Sequence, residues 1–191
     1  YKRQKSPLVT PILGPHAIYS LNLEQLKETR RVAASTDTPI SIHLSESEFE
    51  LEYSNQNYGM TSIEALDSID FFNGRTIAAH VVWPTKKEIA ILANKNVGVV
   101  HNPTSNMKLA SGISPIADML KAGVLIGLGT DGAASNNDLD MWEEMRLAAL
   151  LQKVTKMDPE ALPANTILRM ATTNGAQIIG LGDKIGRLEV G

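Results

Sequence analysis

Four histidines and one aspartate stand where apolar runs stop. His16, His43, His80, His101 and Asp131 are separated by 27, 37, 21 and 30 residues. Each ends or follows a short, mostly apolar segment: LVTPIL (8–13), TPISIHL (38–44), RTIAAHVV (75–82), NVGVVHN (96–102) and GVLIGLGTD (123–131). Imidazole and carboxylate without thiolate suit a hard to borderline divalent ion such as zinc. Such an ion lowers the pKa of a bound water to about 7, which makes hydroxide available at neutral pH. Glu46, three residues beyond His43, would lie close enough to shuttle a proton between that water and a substrate without being a ligand. Each feature also has an ordinary reading. A single His at a strand end is commonly a satisfied, partly buried polar group, and Gly-Thr-Asp-Gly is commonly only a turn. Glu46, Glu48, Glu50 and Glu52 read together as an acidic, solvated helix face, with Glu46 set apart by its nearness to the strand end. Recurrence at successive segment ends favours the chemical reading, most strongly for His43 and Asp131.

Residues so far apart in sequence meet only if the elements between them return each strand end to the same face. Helical patterns with recognisable ends fill the intervals. Ser20 is placed to cap a helix carrying Leu23, Leu26 and Val32, and Thr85 with Glu88 makes a capping-box signature. Ser114 and Pro115 read as the start of PIADMLKAG, which Gly123 can end in a left-handed cap. Two longer stretches follow, LDMWEEMRLAALLQKV and NTILRMATTNGAQIIG, the first with Leu139, Trp142, Met145, Leu147 and Ala149 as much of its apolar surface. Repeated βα units imply parallel strands and right-handed crossovers, hence a doubly wound sheet or a (β/α)8 barrel. A dinucleotide-binding sheet carries a glycine-rich first turn, which LGPHAIYS is not. In a barrel the C-terminal strand ends converge on one mouth, where these polar residues would gather. No fixed-period repeat, low-complexity tract or interior linker interrupts the pattern.

Composition narrows the partners. The chain has 191 residues, 43% of them hydrophobic, and a net charge of −3. That balance offers no concentrated cationic surface for nucleic acid or an anionic membrane, so a small molecule is the expected ligand. The absence of cysteine excludes disulfides and thiolate metal sites. No apolar run approaches the ~18 residues of a membrane span. The opening YKRQKSPLVT and the closing KIGRLEVG both read as interior sequence, so the expectation is one domain or part of a larger one.

GPHAIYS, IHLSES, AAHVVWP, HNPTSNMKLASGISP and LGTDGAASNNDLDMWEEMRLAALLQK together resemble the amidohydrolase superfamily, and within it the methylthioadenosine/S-adenosylhomocysteine deaminases. The resemblance runs through nearly the whole chain, including IGRLEVG, which is similar to the return from the barrel into a small β domain. It implies a metal-dependent (β/α)8 TIM barrel, of which residues 1–191 supply about strands 4 to 8, the N-terminal strands and the composite β domain lying outside. It further implies one divalent metal, usually zinc, with His43 and Asp131 as ligands and Asp131 also taking a proton from the attacking water. Glu46 matches the acid/base that protonates the purine ring nitrogen, and so also contacts substrate. His80 matches the histidine that hydrogen-bonds the attacking water or the tetrahedral intermediate. His16 matches a substrate-contacting histidine, and His101 a structural or pocket-forming one. Ser135 and Asn136 fall in a loop that shapes the pocket. The implied reaction is hydrolytic deamination of an adenine nucleoside to its inosine analogue, in the cytoplasm, with no nucleic-acid or membrane partner and with self-association compatible. The family's His-x-His ligand pair is absent from this sequence, so the segment alone is expected to be inactive or very weak. Other expectations compatible with the same residues are a ring hydrolase of the s-triazine chlorohydrolase or guanine deaminase type, and a non-catalytic barrel fragment.

Overall fold

The computed structural model describes residues 9–190. Residues 1–8, which include Leu8 of the first expected strand, and Gly191 lie outside the described residues. Four parallel strands, β1 (Ile40–Leu44), β2 (Thr76–His80), β3 (Gly98–His101) and β4 (Ile126–Leu128), lie side by side in chain order. The register runs Ile42 to Ala78, Ala78 to Val99 and Val99 to Ile126. A doubly wound sheet reverses its strand order at a switch point, whereas a barrel wall adds strands in sequence. The unbroken order is that of a barrel wall.

Among the described residues, the expected first strand, 8–13, is reduced to a parallel bridge from Leu13 to Ile40. Pro11, Gly14 and Pro15 surround it, and proline has no N–H to give to a ladder. The bridge still holds the following loop in place. Ser41 N–H donates to Leu13 O (2.9 Å) and His43 N–H to His16 O (3.0 Å).

The first helix, α1 (Leu23–Thr36), is capped by Asn22 with Gln25 in a reciprocal box, and not by Ser20. The Ser20 hydroxyl is engaged with Ala17 and His16 instead. Between β1 and β2 lie α2 (Glu48–Tyr58) and α3 (Ser62–Ser68), and after β2 comes α4 (Lys86–Asn94), which keeps the expected Thr85–Glu88 box. Then follow α5 (Pro103–Lys108), α6 (Ile116–Lys121), α7 (Ala133–Asn136) and α8 (Met141–Lys156). Ser114 does not cap α6. Its hydroxyl donates to Val81 O at 2.7 Å, and Gly123 (φ 86°) follows the helix in the expected left-handed conformation.

The core fills the space between one sheet face and the helices. It includes Leu26, Ile40, Ile42, Leu44, Ile63, Leu66, Phe71, Phe72, Leu92, Val99, Ile116, Met119 and Ile126. The apolar surface expected for α8 is corrected in part. Met145 and Ala149 pack against the core, but its fully buried positions are Glu144, Ala148 and Gln152, while Leu139 and Trp142 are exposed, Trp142 at 76%. Gln152 is buried because it spans two backbone groups, accepting from Ala117 N–H (3.1 Å) and donating to Ser114 O (2.9 Å). The final expected helix is interrupted. It forms α9 (Ala164–Arg169), a π-turn (Met170–Asn174) and α10 (Gly175–Ile178). Gly98 and Gly127 let it approach the sheet, since a Cβ on Gly98 would sit 2.8 Å from Ile178 and one on Gly127 3.1 Å from it. Among the described residues no helix is long and apolar enough to cross a membrane.

Candidate active site

The C-terminal strand ends carry the chemistry-bearing side chains. His43 is the fourth residue of β1, His80 the last of β2 and His101 the last of β3, while Asp131 lies three residues past β4. The backbone there departs from ordinary conformations. Ser45 (φ 52°), His80 (φ 73°), Val81 (φ 47°) and Asp131 (φ 59°) all lie in the left-handed region, which is costly for side-chain-bearing residues and most of all for a β-branched valine. Hydrogen bonds hold it. Val81 N–H donates to Leu44 O (3.0 Å), and Val82 and Trp83 N–H both donate to Ser45 O (2.8 and 3.1 Å).

These turns bring three donor residues together. His43, His80 and Asp131 each present one ligand-capable atom, and the three atoms lie within 4.8 Å of one another. The second nitrogen of each ring has a partner that sets its role. His43 Nδ1–H donates to His16 O (2.8 Å), and His80 Nδ1–H donates to Asn106 Oδ1 (2.8 Å). Both bonds place the lone pair on Nε2, the arrangement of a histidine prepared to bind a metal or accept a proton. The two rings stack, with centroids 5.5 Å apart and an interplanar angle of 21°.

Asp131 is held as an anion. Burial pushes its carboxyl up, but the Ser135 and Ser105 hydroxyls and the Gly132 amide outweigh burial and hold it below the usual value. Ser105 (2.8 Å) and Ser135 (2.7 Å) both donate to Oδ2. Behind them Glu144, almost fully buried, accepts from Thr104 N–H (3.1 Å) and Asn136 Nδ2 (2.6 Å) and so joins the loops after β3 and β4. Asn136 Nδ2 also donates to Thr130 O (2.7 Å), beside Asp131.

Glu46 belongs to the same site. One oxygen lies 3.8 Å from His80 Nε2 and the other 3.5 Å from Ser111 Oγ. His16 is exposed at the rim, its ring centroid 4.9 Å from that of His43, with Nδ1–H donating to Ser20 Oγ (2.9 Å). Thus His16, His43, Glu46, His80 and Asp131 are gathered in one place. The acidic-face reading of 46–52 fails at Glu50, which is fully buried. The sequence reading missed Glu50, Ser105, Asn106, Ser111 and Glu144. Two visible signals were the Ser47-x-x-Glu50 spacing and the polar run HNPTSN just past a strand end. A separate cavity of about 470 Å³, lined by Thr10, Arg30, Asp37 and Arg75 among others, opens at the N-terminal strand ends, away from this cluster.

His101 stands apart. It is 1% exposed, neither ring nitrogen has a hydrogen-bond partner, and burial followed by the nearby His80 pushes its pKa down to about 3. Because the folded state holds this ring neutral while an unfolded chain protonates it near pH 6.5, its effect is absent above that pH. Stability is lost as pH falls from 6.5 towards 3, by about 2 kcal/mol at pH 5. Denaturant titrations at pH 7 and pH 5 should show this difference and show it largely removed in His101→Asn. An equal slope in both proteins would contradict the assignment.

The chain matches the model described as Amidohydrolase family over residues 1–191. It is 51% identical over 183 residues to the 5-methylthioadenosine/S-adenosylhomocysteine deaminase of Desulforudis audaxviator, covering 96% of this chain and 43% of that protein. It is 53% identical over 169 residues to the 5'-deoxyadenosine deaminase of Methanothermobacter thermautotrophicus, covering 88% of this chain and 40% of that one. A solved adenosine deaminase from Xanthomonas campestris with bound zinc superposes with a TM-score of 0.95 at 42% identity, over all of this chain and 43% of its own. The chain therefore spans about two fifths of the length of these relatives. With its parallel barrel wall, its strand-end histidines and aspartate and a match over its full length, the chain belongs to the amidohydrolase family.

Proposed function

We propose that the strand-end cluster is one half of a hydrolytic deaminase site acting on the adenine ring of a small nucleoside, of the 5-methylthioadenosine or S-adenosylhomocysteine type. The convergence of His43, His80 and Asp131, with Glu46 against His80, carries this reading, and the likeness to deaminases supports it. The products are ammonia and the inosine analogue, and the enzyme's place is in cytoplasmic nucleoside metabolism.

His43 and Asp131 would hold a single divalent ion, with zinc the best fit. The bare Nε2 of His43 and the anionic Asp131 carboxylate match zinc's nitrogen and oxygen preference. When bound, such an ion supplies Lewis acidity and lowers the pKa of its water to about 7. Asp131, kept anionic by its two serine donors, accepts a proton from the attacking water. Protonated Glu46 delivers its proton to the ring nitrogen next to the carbon under attack, and the proton taken up by Asp131 passes to the amino group so that it leaves as ammonia. The remaining hydroxyl proton of the adduct restores Glu46 as the carbonyl forms. His80, fixed by Asn106, presents Nε2 to the oxygen that adds to the ring. His16 contacts substrate at the rim. Loops after four segments thus aim at one reacting carbon, and most of the rate enhancement would come from that fixed geometry.

A catalytic zinc ordinarily has three or more protein ligands, so His43 and Asp131 need partners. We place them in strands that precede residue 1 in an eight-stranded barrel, with residues 1–191 as strands 4 to 8. The exposed α8 residues Trp142, Leu150 and Val154, at helical spacing, and Met157 just beyond the helix support this because they offer an apolar face to a neighbouring helix. The same apolar face is compatible with self-association. The isolated segment would turn over weakly or not at all. In the complete enzyme, 5-methylthioadenosine with zinc should release ammonia stoichiometrically, followed as loss of adenine absorbance. Chloride release from a chloro-s-triazine, with no ammonia from the nucleoside, would instead establish the triazine hydrolase alternative. Stoichiometric binding without turnover would leave the binding module.

A further inference from the structure

We propose that Glu50 is a positioning residue for Glu46, a role that rests on the deaminase reading above. Ser47 caps α2 and accepts from Glu50 N–H (3.4 Å). In that arrangement a capping-box glutamate ordinarily returns to the amide of the cap residue itself. Glu64 and Glu88 do so in this chain.

Glu50 reaches further. Its Oε1 accepts from Ser45 N–H (2.7 Å) and its Oε2 from Glu46 N–H (3.0 Å). One carboxylate thus clamps two successive amides, each with its own oxygen, at the turn between His43 and α2. Ser45 in that turn has φ 52°, a conformation that needs support from its surroundings. The carboxylate is fully buried, and burial pushes its pKa up even though the two amides act the other way. Burying a carboxylate is unfavourable unless several donors meet it, and capping a helix does not require it. What this arrangement adds is a fixed backbone at Glu46. From that backbone the Glu46 side chain reaches both His80 (3.8 Å) and Ser111 (3.5 Å).

The test is Glu50→Gln, with Glu50→Ala beside it. Glutamine keeps one acceptor but turns an NH2 group towards one of the two amides, so half of the clamp is lost. In the complete zinc-loaded enzyme, kcat for ammonia release should fall about 10- to 100-fold, with zinc content and KM near their original values. Gln should retain more activity than Ala. Amide hydrogen exchange at Ser45 and Glu46 should quicken in both variants, in metal-free protein as well. If Ala fails to fold, the Gln variant alone decides the matter. Unchanged exchange would overturn the clamp. Quickened exchange with unchanged kcat, or activity lost only together with zinc, would overturn the positioning role. Should Glu46→Gln itself leave kcat unchanged, the deaminase role of Glu46 fails, while the exchange result still tests the clamp.

Discussion

Asp131→Asn in the complete enzyme should lower kcat/KM by about 10³- to 10⁴-fold and weaken zinc binding, while leaving the fold largely intact. The substitution is nearly isosteric. Ser105 and Ser135 both donate to one carboxylate oxygen, and the asparagine carbonyl can accept both bonds, so the loop after β4 keeps its supports. What disappears is the negative charge. That charge serves twice in the proposed mechanism, once as a metal donor and once as the acceptor of the water proton. Loss of a positioned general base alone accounts for about 10² to 10⁴ in rate, and the weakened metal adds to it. Steady-state kinetics at saturating zinc, together with a zinc titration, would separate the two parts. A variant with full activity would show that the proton goes elsewhere.

Glu46→Gln should lower kcat by about 10²- to 10⁴-fold with zinc content unchanged. Glu46 is outside the three-residue donor cluster, so the metal has no reason to leave. Its task is to hand over a proton, which an amide cannot do at neutral pH. Glutamine can still accept from Ser111, so the side chain keeps a partner. The two variants therefore form a pair, one losing rate and metal, the other losing rate alone. Equal zinc loss in both would mean that Glu46 belongs to the metal shell.

The parts of this picture legible in the sequence are those set by local pattern. Apolar runs that stop at His43, His80, His101 and Asp131 gave four of the segments and their parallel order, because strands in a barrel wall are apolar on both faces and open to polar groups only at the mouth. The capping box at Thr85 was equally local. What sequence pattern did not reveal depends on contacts between distant residues. Glu50 reads as one more exposed acid in an acidic helix, and only the fold shows that the amides of Ser45 and Glu46 surround it. Glu144 accepts from Thr104, 40 residues earlier, and from Asn136, 8 residues earlier, so its burial has no sequence period. For the same reason α8 buries Glu144 and Gln152 where periodicity favoured Leu139 and Trp142. At Leu13 the apolar run was real, but the adjacent prolines reduced a strand to a single bridge.

Zinc held through His43 is the central requirement of the proposed site. Elemental analysis of the purified complete enzyme and its His43→Ala variant, with ammonia release from 5-methylthioadenosine measured on the same samples, tests it. The expected result is a single equivalent of zinc and turnover in the parent, and loss of both in the variant. Zinc retained at full occupancy in His43→Ala, or undiminished ammonia release without zinc, would contradict it.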